Sequence, residues 1–403
     1  MVSLHSGPLA QPGTGTSGGM NVYVRDLSRA LSVLDMPVDV YTRSEGDLAV
    51  VEDFPGVRVI SVPAGGPGPI AKSEIADQVP ALIAGIDTFS RADGTRYDLV
   101  HSHYWISGLA GQRLATRWNV PHVHMFHTLA RIKTKYAGSK PDLRREHAEI
   151  RLMETADAIV VSNPVERMQV MEAYGVHNAT LVSIPCGIDT SQFQPSKPME
   201  WHKHPQRFRV VALGRIERLK NFALLLEGVA HARTLDRRFA SEVEVVLAGG
   251  PSEDEPGEAP RLREMALQLG LDKTVRFMGA VSRESLPALF AAADVCVVPS
   301  LHESFGLVAL EAMASGVPVI AARSGGLQMT VVNGVSGYLV DPTDAPAMAD
   351  RLLALWRSPI TRQSMGVRGA RAAQHYAWPV VAHRVQCLYD SLIDSKAGER
   401  DAR

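Results

Sequence analysis

The chain has 403 residues, 45% of them hydrophobic, and a formal net charge of −1, which predicts a globular protein of two or three domains. The balanced charge argues against nucleic acid or an anionic membrane surface as the main partner. Three dispersed cysteines, no secretory signal pattern and no apolar run near the roughly 18 residues that span a bilayer lead us to expect a cytoplasmic protein without integral membrane contact.

Short apolar runs alternate with amphipathic stretches through the first half of the chain. This rhythm is typical of βαβ units, which build a doubly wound parallel sheet. The predicted strands are residues 2–5, 38–42, 57–62, 99–102, 122–126, 158–162 and 180–184. The predicted helices are residues 20–34, 74–87, 105–118, 144–155 and 164–174.

A polar, proline-bearing stretch without periodicity, residues 194–207, predicts a linker, and the βαβ rhythm then resumes. The predicted strands are residues 209–213, 243–248, 275–278, 295–298, 319–322 and 337–340. The predicted helices are residues 223–234, 259–269, 283–293, 306–315, 345–356 and 362–375. We therefore predict two α/β domains, residues 1–195 and 205–378, with a last helix at about 379–395 that packs back on the first. Open sheets of this class bind ligands at the carboxyl ends of their strands, so a cleft between the domains would hold two substrates.

A glycine-rich segment, Gly13-Thr14-Gly15-Thr16-Ser17-Gly18, fits the pattern G-x-G-x-x-G and precedes a predicted helix. The pattern is typical of NAD binding when its first glycine closes a strand. Here the strand ends near His5 and two prolines intervene, which favours a flexible loop over a phosphate at the helix N-terminus. An NAD-dependent oxidoreductase and a plain loop before the helix stay open as alternatives.

Two glutamates, Glu303 and Glu311, stand eight residues apart with only small and apolar residues between them. A helix over residues 306–315 would carry Glu311 into an apolar wall, where it needs donors such as the hydroxyl groups of a ribose. Arg215 and Lys220 directly follow a predicted strand, where they would neutralise the diphosphate of a leaving UDP or GDP. A solvated helix face and a solvated loop are the alternatives.

Five histidines fall within 27 residues: His101, His103, His122, His124 and His127. On strands, each i, i+2 pair would share a face, so a zinc site and satisfied core histidines are both interpretations. The neighbouring tyrosine, tryptophan and threonine favour a sugar-like pocket, and we predict no metal ligands. His127 and Thr128, just past a strand end, are the preferred site residues.

Scattered basic residues, Lys72, Arg144 and Arg145, could converge on the phosphate of an acceptor. The chain has no Asp-x-Asp motif, the usual means of holding a metal against a nucleotide diphosphate in another large class of sugar transferases. We therefore expect catalysis to need no cofactor. The sequence does not indicate whether a structural Mg²⁺ binds.

These residues resemble the retaining glycosyltransferases of the GT-B type, in the large family with a Glu-x7-Glu motif. The resemblance covers nearly the whole chain and rests on residues 18–23, 101–105, 184–189, 214–220 and 303–311. It implies two Rossmann-like domains that face a central cleft, and transfer of a hexosyl group from a UDP-sugar. A homodimer is compatible with the sequence, and a non-catalytic nucleotide-sugar-binding protein is the remaining alternative class.

Within that family, the likeness is strongest to the branch that transfers N-acetylglucosamine from UDP-GlcNAc to 1L-myo-inositol 1-phosphate (1D-myo-inositol 3-phosphate), opening mycothiol biosynthesis. The implied catalytic residues are His127, Arg215, Lys220 and Glu303. The implied donor-binding residues are Gln11, Pro12, Gly19, Arg215, Lys220, Val281, Glu303 and Glu311. The implied acceptor-binding residues are His5, Thr16, Ser17, Gly18, Gly19, Met20, Asn21, Lys72, Tyr104, Thr128 and Arg145. A sucrose-phosphate-synthase-like or lipid-linked acceptor is the alternative.

Three residues depart from the family pattern. Thr16 stands where the family has an acidic residue, Asn221 where glycine is usual, and Gln328 where proline is usual.

Overall fold

A computed structural model describes residues 1–10, 18–138, 140–176, 180–195, 207–252 and 254–401. The described chain divides into two compact units. The first contains residues 1–10, 19–187 and the C-terminal stretch from Trp378, and the second contains residues 188–377. Most of the predicted linker, residues 196–206, lies outside the described residues.

The first unit is built around parallel strands. Its described strands are β1 (Val38–Ser44), β2 (Ala49–Phe54), β3 (Val57–Pro63), β4 (Val100–His103), β5 (His122–Met125), β6 (Ala158–Val161) and β7 (Leu181–Ser183). Val2 forms parallel bridges to Tyr41 in β1 and Ser102 in β4, and so joins two groups of strands, β1-β3-β2 and β4-β5-β6-β7. The predicted first strand is thus reduced to a bridge in the middle of the sheet.

β2 is the strand that the sequence analysis missed. It pairs antiparallel with β3 at the edge of the sheet, and four of its six residues are exposed. An edge strand with both faces in water has no alternation of buried and exposed residues to reveal it. An antiparallel edge strand on an otherwise parallel sheet is common in doubly wound folds.

The helices of the first unit before the C-terminal stretch are α1 (Gly19–Ser32), α2 (Lys72–Asp77), α3 (Val79–Asp93), α4 (Trp105–Trp118), α5 (Ala130–Ala137), α6 (Leu143–Thr155) and α7 (Pro164–Tyr174). The single helix predicted over residues 74–87 is wrong, because the chain breaks at Gln78 into α2 and α3. Pro80 lies in the first turn of α3, where its missing N–H is tolerated, but it could not sit inside a continuous helix. The short helix α5 was not predicted.

The second unit contains an all-parallel six-stranded sheet. Its strands are β8 (Phe208–Leu213), β9 (Val243–Ala248), β10 (Val275–Gly279), β11 (Val295–Val298), β12 (Val319–Ala322) and β13 (Gly337–Val340). Their order in the sheet is β10-β9-β8-β11-β12-β13, so the strand order reverses between β8 and β11. This is the order of a Rossmann-type sheet, whose ligands bind at the reversal point.

Helices alternate with the strands of the second unit along the chain. They are α8 (Phe222–Leu235), α9 (Arg237–Glu242), α10 (Glu258–Gln268), α11 (Leu286–Ala291), α12 (Leu307–Ala314), α13 (Leu327–Thr330), α14 (Ala345–Arg357) and α15 (Pro359–Ala373). Short 3₁₀ turns lie at Arg218–Lys220, Arg283–Ser285 and Gln374–Tyr376. The helix predicted over residues 283–293 is a 3₁₀ turn followed by α11, and α9 and α13 were not predicted.

The last helix, α16 (Trp378–Asp401), belongs to the first unit. The ring of Trp378 lies 5.6 Å from that of Tyr23 in α1, and the hydroxyl of Tyr389 lies 2.6 Å from Nδ1 of His101. Across the described residues, no helix is both long enough and apolar enough to cross a membrane.

Candidate functional site

The first group of site residues follows β8 and β11, the neighbouring strands where the order of the second sheet reverses. Arg215 and Lys220 come after β8, and Glu303 comes after β11. Because parallel strands end at the same edge, their loops meet there. The structure brings two of these residues into direct contact, with Lys220 Nζ 2.7 Å from Glu303 Oε2.

The Lys220–Glu303 ion pair remains open to solvent, since each side chain is 21% exposed. Ser300 Oγ also donates to Oε2 of Glu303, at 3.4 Å. Water therefore reaches both side chains and screens part of their attraction. Both charged groups are thus accessible to a ligand at this edge of the sheet.

Arg215 lies in the same loop but pairs with a different carboxylate. Its Nη2 is 3.6 Å from Oε2 of Glu217, and its side chain is 32% exposed. At the start of this loop the backbones of Gly214 and Gly249 approach closely. A Cβ on Gly249 would lie only 1.7 Å from the carbonyl oxygen of Gly214. Gly249 therefore holds the loop that carries Arg215 and Lys220 close to the strand end.

The backbone of Glu303 is held by the Gly325-Gly326 pair. Gly326 N donates to Glu303 O at 2.7 Å, and a Cβ on Gly325 would lie 2.1 Å from that oxygen. Gly325 also has a φ of +46°, which favours glycine. The close approach fixes where the Glu303 side chain leaves the backbone.

Glu311 lies in α12 and is buried, as its apolar surroundings in the sequence indicate. Its partner is Arg283, whose Nη1 donates to Oε1 at 2.7 Å. The guanidinium of Arg283 also lies 5.2 Å from the centre of the Phe193 ring. The protein itself thus supplies a donor that the sequence analysis assigned to a ribose.

Sequence reasoning missed Arg283 as part of this site, although a signal was present. It stands two residues after Val281, which lies half-buried in the loop after β10. A lone carboxylate in an apolar helix requires a cation or several donors. An arginine at a strand end on the same sheet is the residue type to look for.

The backbone conformation of Asn221 accounts for an asparagine at a position where the family usually has glycine. It adopts a φ of +51°, a left-handed conformation that glycine and asparagine tolerate best. Its Nδ2 donates to the carbonyl oxygens of Pro299 and Pro342, at 3.2 and 2.9 Å. The asparagine thus keeps the backbone shape of a glycine and also links two loops at the carboxyl edge of the sheet.

The first unit contains a second group of neighbouring site residues: Arg145, Thr128, Tyr104 and His5. Arg145 Nη2 donates to the carbonyl oxygen of Thr128 at 2.6 Å and to its Oγ1 at 3.1 Å. The guanidinium lies 4.9 Å from the centre of the Tyr104 ring, and that ring lies 4.2 Å from the ring of His5. A cation, a hydroxyl and two rings are thus placed together at the ends of β4 and β5.

Two residues at these strand ends have unusual backbones. Tyr104, directly after β4, has φ +74° and ψ 152°, and His127, after β5, has φ +59°. Conformations of this kind cost roughly 1–3 kcal/mol and are concentrated at functional sites. The ends of β4 and β5 are therefore candidates for a ligand site.

His127 is half-buried and contacts other rings. Its Nε2 lies 3.1 Å from Nδ1 of His103, and its ring meets that of Tyr23 edge-on at 5.3 Å. Burial lowers the pKa of His127 to about 3, so the imidazole is neutral at physiological pH. It can exchange hydrogen bonds with a sugar but does not supply a positive charge.

The other four histidines of the cluster are core residues. His122 Nε2 and His124 Nδ1 lie 2.7 and 2.8 Å from Oγ of Ser102, and His101 lies beside Tyr389 as described above. Burial lowers the pKa values of all four, that of His122 to about 4. In the part of the chain that the structure covers, no three His, Cys, Asp or Glu side chains form a group that could hold a metal.

Asn21 is buried in α1 and ties that helix to the preceding loop. Its Oδ1 accepts from Ser6 Oγ at 2.9 Å, and its Nδ2 donates to the carbonyl oxygen of Gly7 at 2.5 Å. Gly19 and Met20 open the same helix, and Gly18 precedes it. Lys72 is the first residue of α2. Four predicted ligands lie outside the described residues: Gln11, Pro12, Thr16 and Ser17.

Comparison with known proteins places the chain in a family. Residues 17–192 match the family model "Glycosyltransferase Family 4", and residues 194–372 match the family model "Glycosyl transferases group 1". It is 38% identical to the D-inositol 3-phosphate glycosyltransferase of Corynebacterium jeikeium (strain K411), over 100% of this chain and 98% of that one. The chain belongs to this glycosyltransferase family. The D-inositol 3-phosphate glycosyltransferase of Arthrobacter sp. (strain FB24) is also similar. It is 37% identical, and the match covers 98% of this chain and 94% of that relative.

Solved structures agree with this placement. The sucrose-phosphate synthase of Thermosynechococcus elongatus is 31% identical to the glycosyltransferase, with a TM-score of 0.89 over 98% of both chains. Anabaena HepE in complex with UDP-glucose is 20% identical, with a TM-score of 0.76 over 97% of this chain and 100% of its own, a likeness of fold alone. The predicted GT-B fold class and glycosyltransferase activity are confirmed, and the oxidoreductase alternative is wrong.

Proposed function

We propose that this glycosyltransferase transfers N-acetylglucosamine from UDP-GlcNAc to 1D-myo-inositol 3-phosphate with retention of configuration, the first step of mycothiol biosynthesis. The observation that carries the acceptor assignment is the buried guanidinium of Arg145, held beside the hydroxyl of Thr128 and the ring of Tyr104. An arginine with a hydroxyl neighbour suits a phosphate, and aromatic rings suit the face of a cyclic polyol. Relatives that are 36–38% identical over nearly the whole chain are named as D-inositol 3-phosphate glycosyltransferases, which supports the same acceptor.

The proposed donor ligands are the residues at the edge of the second sheet. Arg215 and Lys220 would bind the diphosphate, Glu303 the sugar hydroxyls, and Glu311 the ribose, with Val281 near the uracil. In the reaction the bond between the anomeric carbon and the diphosphate oxygen breaks, and the acceptor oxygen forms the new bond on the same face. The acceptor proton would pass to the departing phosphate, whose negative charge Arg215 and Lys220 offset.

Two roles in the first unit complete the proposal. Lys72 would add a second cation for the acceptor phosphate, and His127 would hydrogen-bond the transferred sugar as a neutral imidazole. We further propose that the enzyme acts in the cytoplasm and needs no cofactor for catalysis, so that EDTA leaves turnover unchanged.

The deciding experiment is UDP release by the purified protein from UDP-GlcNAc, with and without 1D-myo-inositol 3-phosphate. We expect strong stimulation by that acceptor and weak stimulation by fructose 6-phosphate. Stimulation by fructose 6-phosphate alone would contradict the proposal and favour the sucrose-phosphate-like alternative.

A variant pair tests the acceptor side. Lys72→Ala should raise the KM for inositol 3-phosphate while slow hydrolysis of UDP-GlcNAc continues unchanged. Lys140→Ala, at an exposed lysine in the same unit, is the matched control. Equal losses of transfer and hydrolysis in Lys72→Ala would remove Lys72 from the acceptor site.

A further inference from the structure

Glu149 is a fully buried carboxylate that the mechanism above does not use. It lies in α6, four residues after Arg145, with 0% of its surface exposed. It accepts hydrogen bonds from Arg145 Nε at 2.7 Å, from Ala130 N at 3.0 and 3.2 Å, and from the hydroxyl of Tyr174. A buried charge is costly unless it is partnered in this way, so these contacts hold the carboxylate in one orientation.

The contact with Glu149 determines which edge of Arg145 remains for a ligand. Nε is engaged by Glu149, and Nη2 by both oxygens of Thr128. Nη1 donates to none of the residues that the structure describes. Because a guanidinium is planar and rigid, fixing two of its nitrogens also fixes the direction of the third.

Glu149 also connects Arg145 to the loop that carries Thr128. Ala130, whose N–H it accepts, is the first residue of α5 and lies two residues after Thr128. One carboxylate therefore links the start of α5 with the first turns of α6. The distance between the guanidinium and the threonine hydroxyl depends on this link.

Tyr174, the last residue of α7, holds Glu149 from a third element. Its hydroxyl also accepts from Arg131 N at 3.3 Å, and the guanidinium of Arg131 lies 4.8 Å from the centre of its ring. Burial raises the pKa of Glu149, whereas Arg145 and the Tyr174 hydrogen bond lower it. Burial is the larger effect, so the pKa of Glu149 is raised overall, and the contacts with Arg145 and Tyr174 limit that rise.

We propose that Glu149, oriented by Tyr174, is a positioning residue that aims Nη1 of Arg145 and the hydroxyl of Thr128 at the phosphate of the acceptor. This inference rests on the proposed function only in taking that acceptor to be phosphorylated. The residue touches no substrate itself. Its effect is to fix the geometry of the phosphate-binding pair before the acceptor arrives, which lowers the entropy lost on binding.

The test separates acceptor binding from donor chemistry. In Glu149→Gln we expect the KM for inositol 3-phosphate to rise roughly tenfold to a hundredfold, the worth of a hydrogen bond between charged groups. The KM for UDP-GlcNAc and the rate of slow donor hydrolysis should stay unchanged. Tyr174→Phe, which keeps the carboxylate and removes one of its donors, should raise the acceptor KM in the same direction but less.

Asp87→Asn is the matched control for a purely structural effect. Asp87 is also buried in the first unit, where it accepts from Arg117 and from Trp118 Nε1. Trp118 ends α4 just before β5 begins, so this carboxylate lies at the amino edge of the sheet, away from the strand ends that carry the site. Asp87→Asn should lower the melting temperature and leave the acceptor KM unchanged.

A second measurement keeps this inference separate from the identity of the acceptor. Calorimetric binding of inorganic phosphate, with UDP at saturation to occupy the donor residues, should be weaker in Glu149→Gln than in the wild type. If inositol 3-phosphate fails as a substrate but phosphate binding still depends on Glu149, the proposed function falls and the positioning role stands.

Two outcomes overturn the inference. The first is phosphate binding that is equal in the wild type and in Glu149→Gln. The second is a KM for UDP-GlcNAc that rises as much as that for the acceptor, as a general distortion would produce. If Glu149→Gln does not fold, phosphate binding and the two KM values are compared between the wild type and Tyr174→Phe instead. An acceptor KM that is unchanged in Tyr174→Phe would then count against the proposal.

Discussion

Acidification should destabilise this enzyme strongly between pH 7 and pH 5, because five histidines are held neutral in the folded state. Burial lowers the pKa of His127 to about 3 and that of His122 to about 4, and lowers those of His101, His103 and His124 well below the ordinary value of 6.5. In the unfolded chain all five bind protons below about pH 6.5. Well above pH 6.5 these histidines are neutral in both states and do not change the free energy of unfolding. As the pH falls below 6.5, only the unfolded chain binds protons, so the free energy of unfolding decreases.

The magnitude follows from the difference in bound protons. At pH 5.5 an unfolded histidine is about 90% protonated, so the unfolded chain binds about 4.5 protons that the folded histidines do not. Glu149 and Glu166 act in the opposite direction, because burial raises their pKa values and the folded state keeps protons that the unfolded chain releases. They offset at most about two protons, which leaves a slope of about 3 kcal/mol per pH unit.

The assay is urea unfolding followed by far-UV circular dichroism at pH 7.5 and pH 5.5, with ¹⁵N NMR of the imidazole nitrogens. His122→Gln removes about one of the protons taken up on unfolding, and should therefore reduce the slope by about 1.4 kcal/mol per pH unit. His231→Gln, at an exposed histidine, should leave it unchanged. Equal unfolding midpoints at both pH values, or charged imidazoles for the cluster at pH 5.5, would refute the reasoning.

Three further substitutions test the donor residues. Lys220→Ala removes a cation from the proposed leaving group, so kcat should fall by roughly 10²–10³ in the UDP-release assay while the melting temperature changes little. Arg283→Met leaves Glu311 buried without its ion-pair partner and should lower the unfolding free energy by about 3–5 kcal/mol, with recovery when Glu311→Leu is added. Gly325→Ala places a Cβ 2.1 Å from a carbonyl oxygen and should raise the KM for UDP-GlcNAc, unlike Gly257→Ala, where the new Cβ meets no atom within 4 Å.

Each of these expectations has a contrary result. Near-normal turnover in Lys220→Ala would remove it from the transition state. An Arg283→Met protein as stable as the wild type would show that Glu311 does not depend on that partner. Matching KM values in Gly325→Ala and Gly257→Ala would show that the close approach to Glu303 does not set donor affinity.

Most helices and strands of this enzyme follow from local sequence, because the period of apolar residues records which face of a segment is buried. The strands of the second sheet and helices such as α4 and α7 are found within one or two residues of the predicted bounds. The failures have physical causes. β2 lies at an exposed edge and carries no periodic signal, and α2 and α3 form one amphipathic run that Pro80 divides.

The candidate site shows a similar division. The positions of Arg215, Lys220, Glu303 and Thr128 just after strand ends could be predicted, since each motif and its strand lie in one stretch of chain. Roles assigned by resemblance stay predictions until variants are assayed.

The sequence by itself determined two doubly wound domains, a glycosyltransferase, and which charged residues stand at strand ends. Only the tertiary structure decided which of those charges meet. The Lys220–Glu303 pair joins residues 83 apart in sequence, Arg283–Glu311 joins residues 28 apart, and Glu149 gathers donors from three separate elements. Such contacts leave no local period, because they depend on where the parallel strands place their loops along one edge of a sheet.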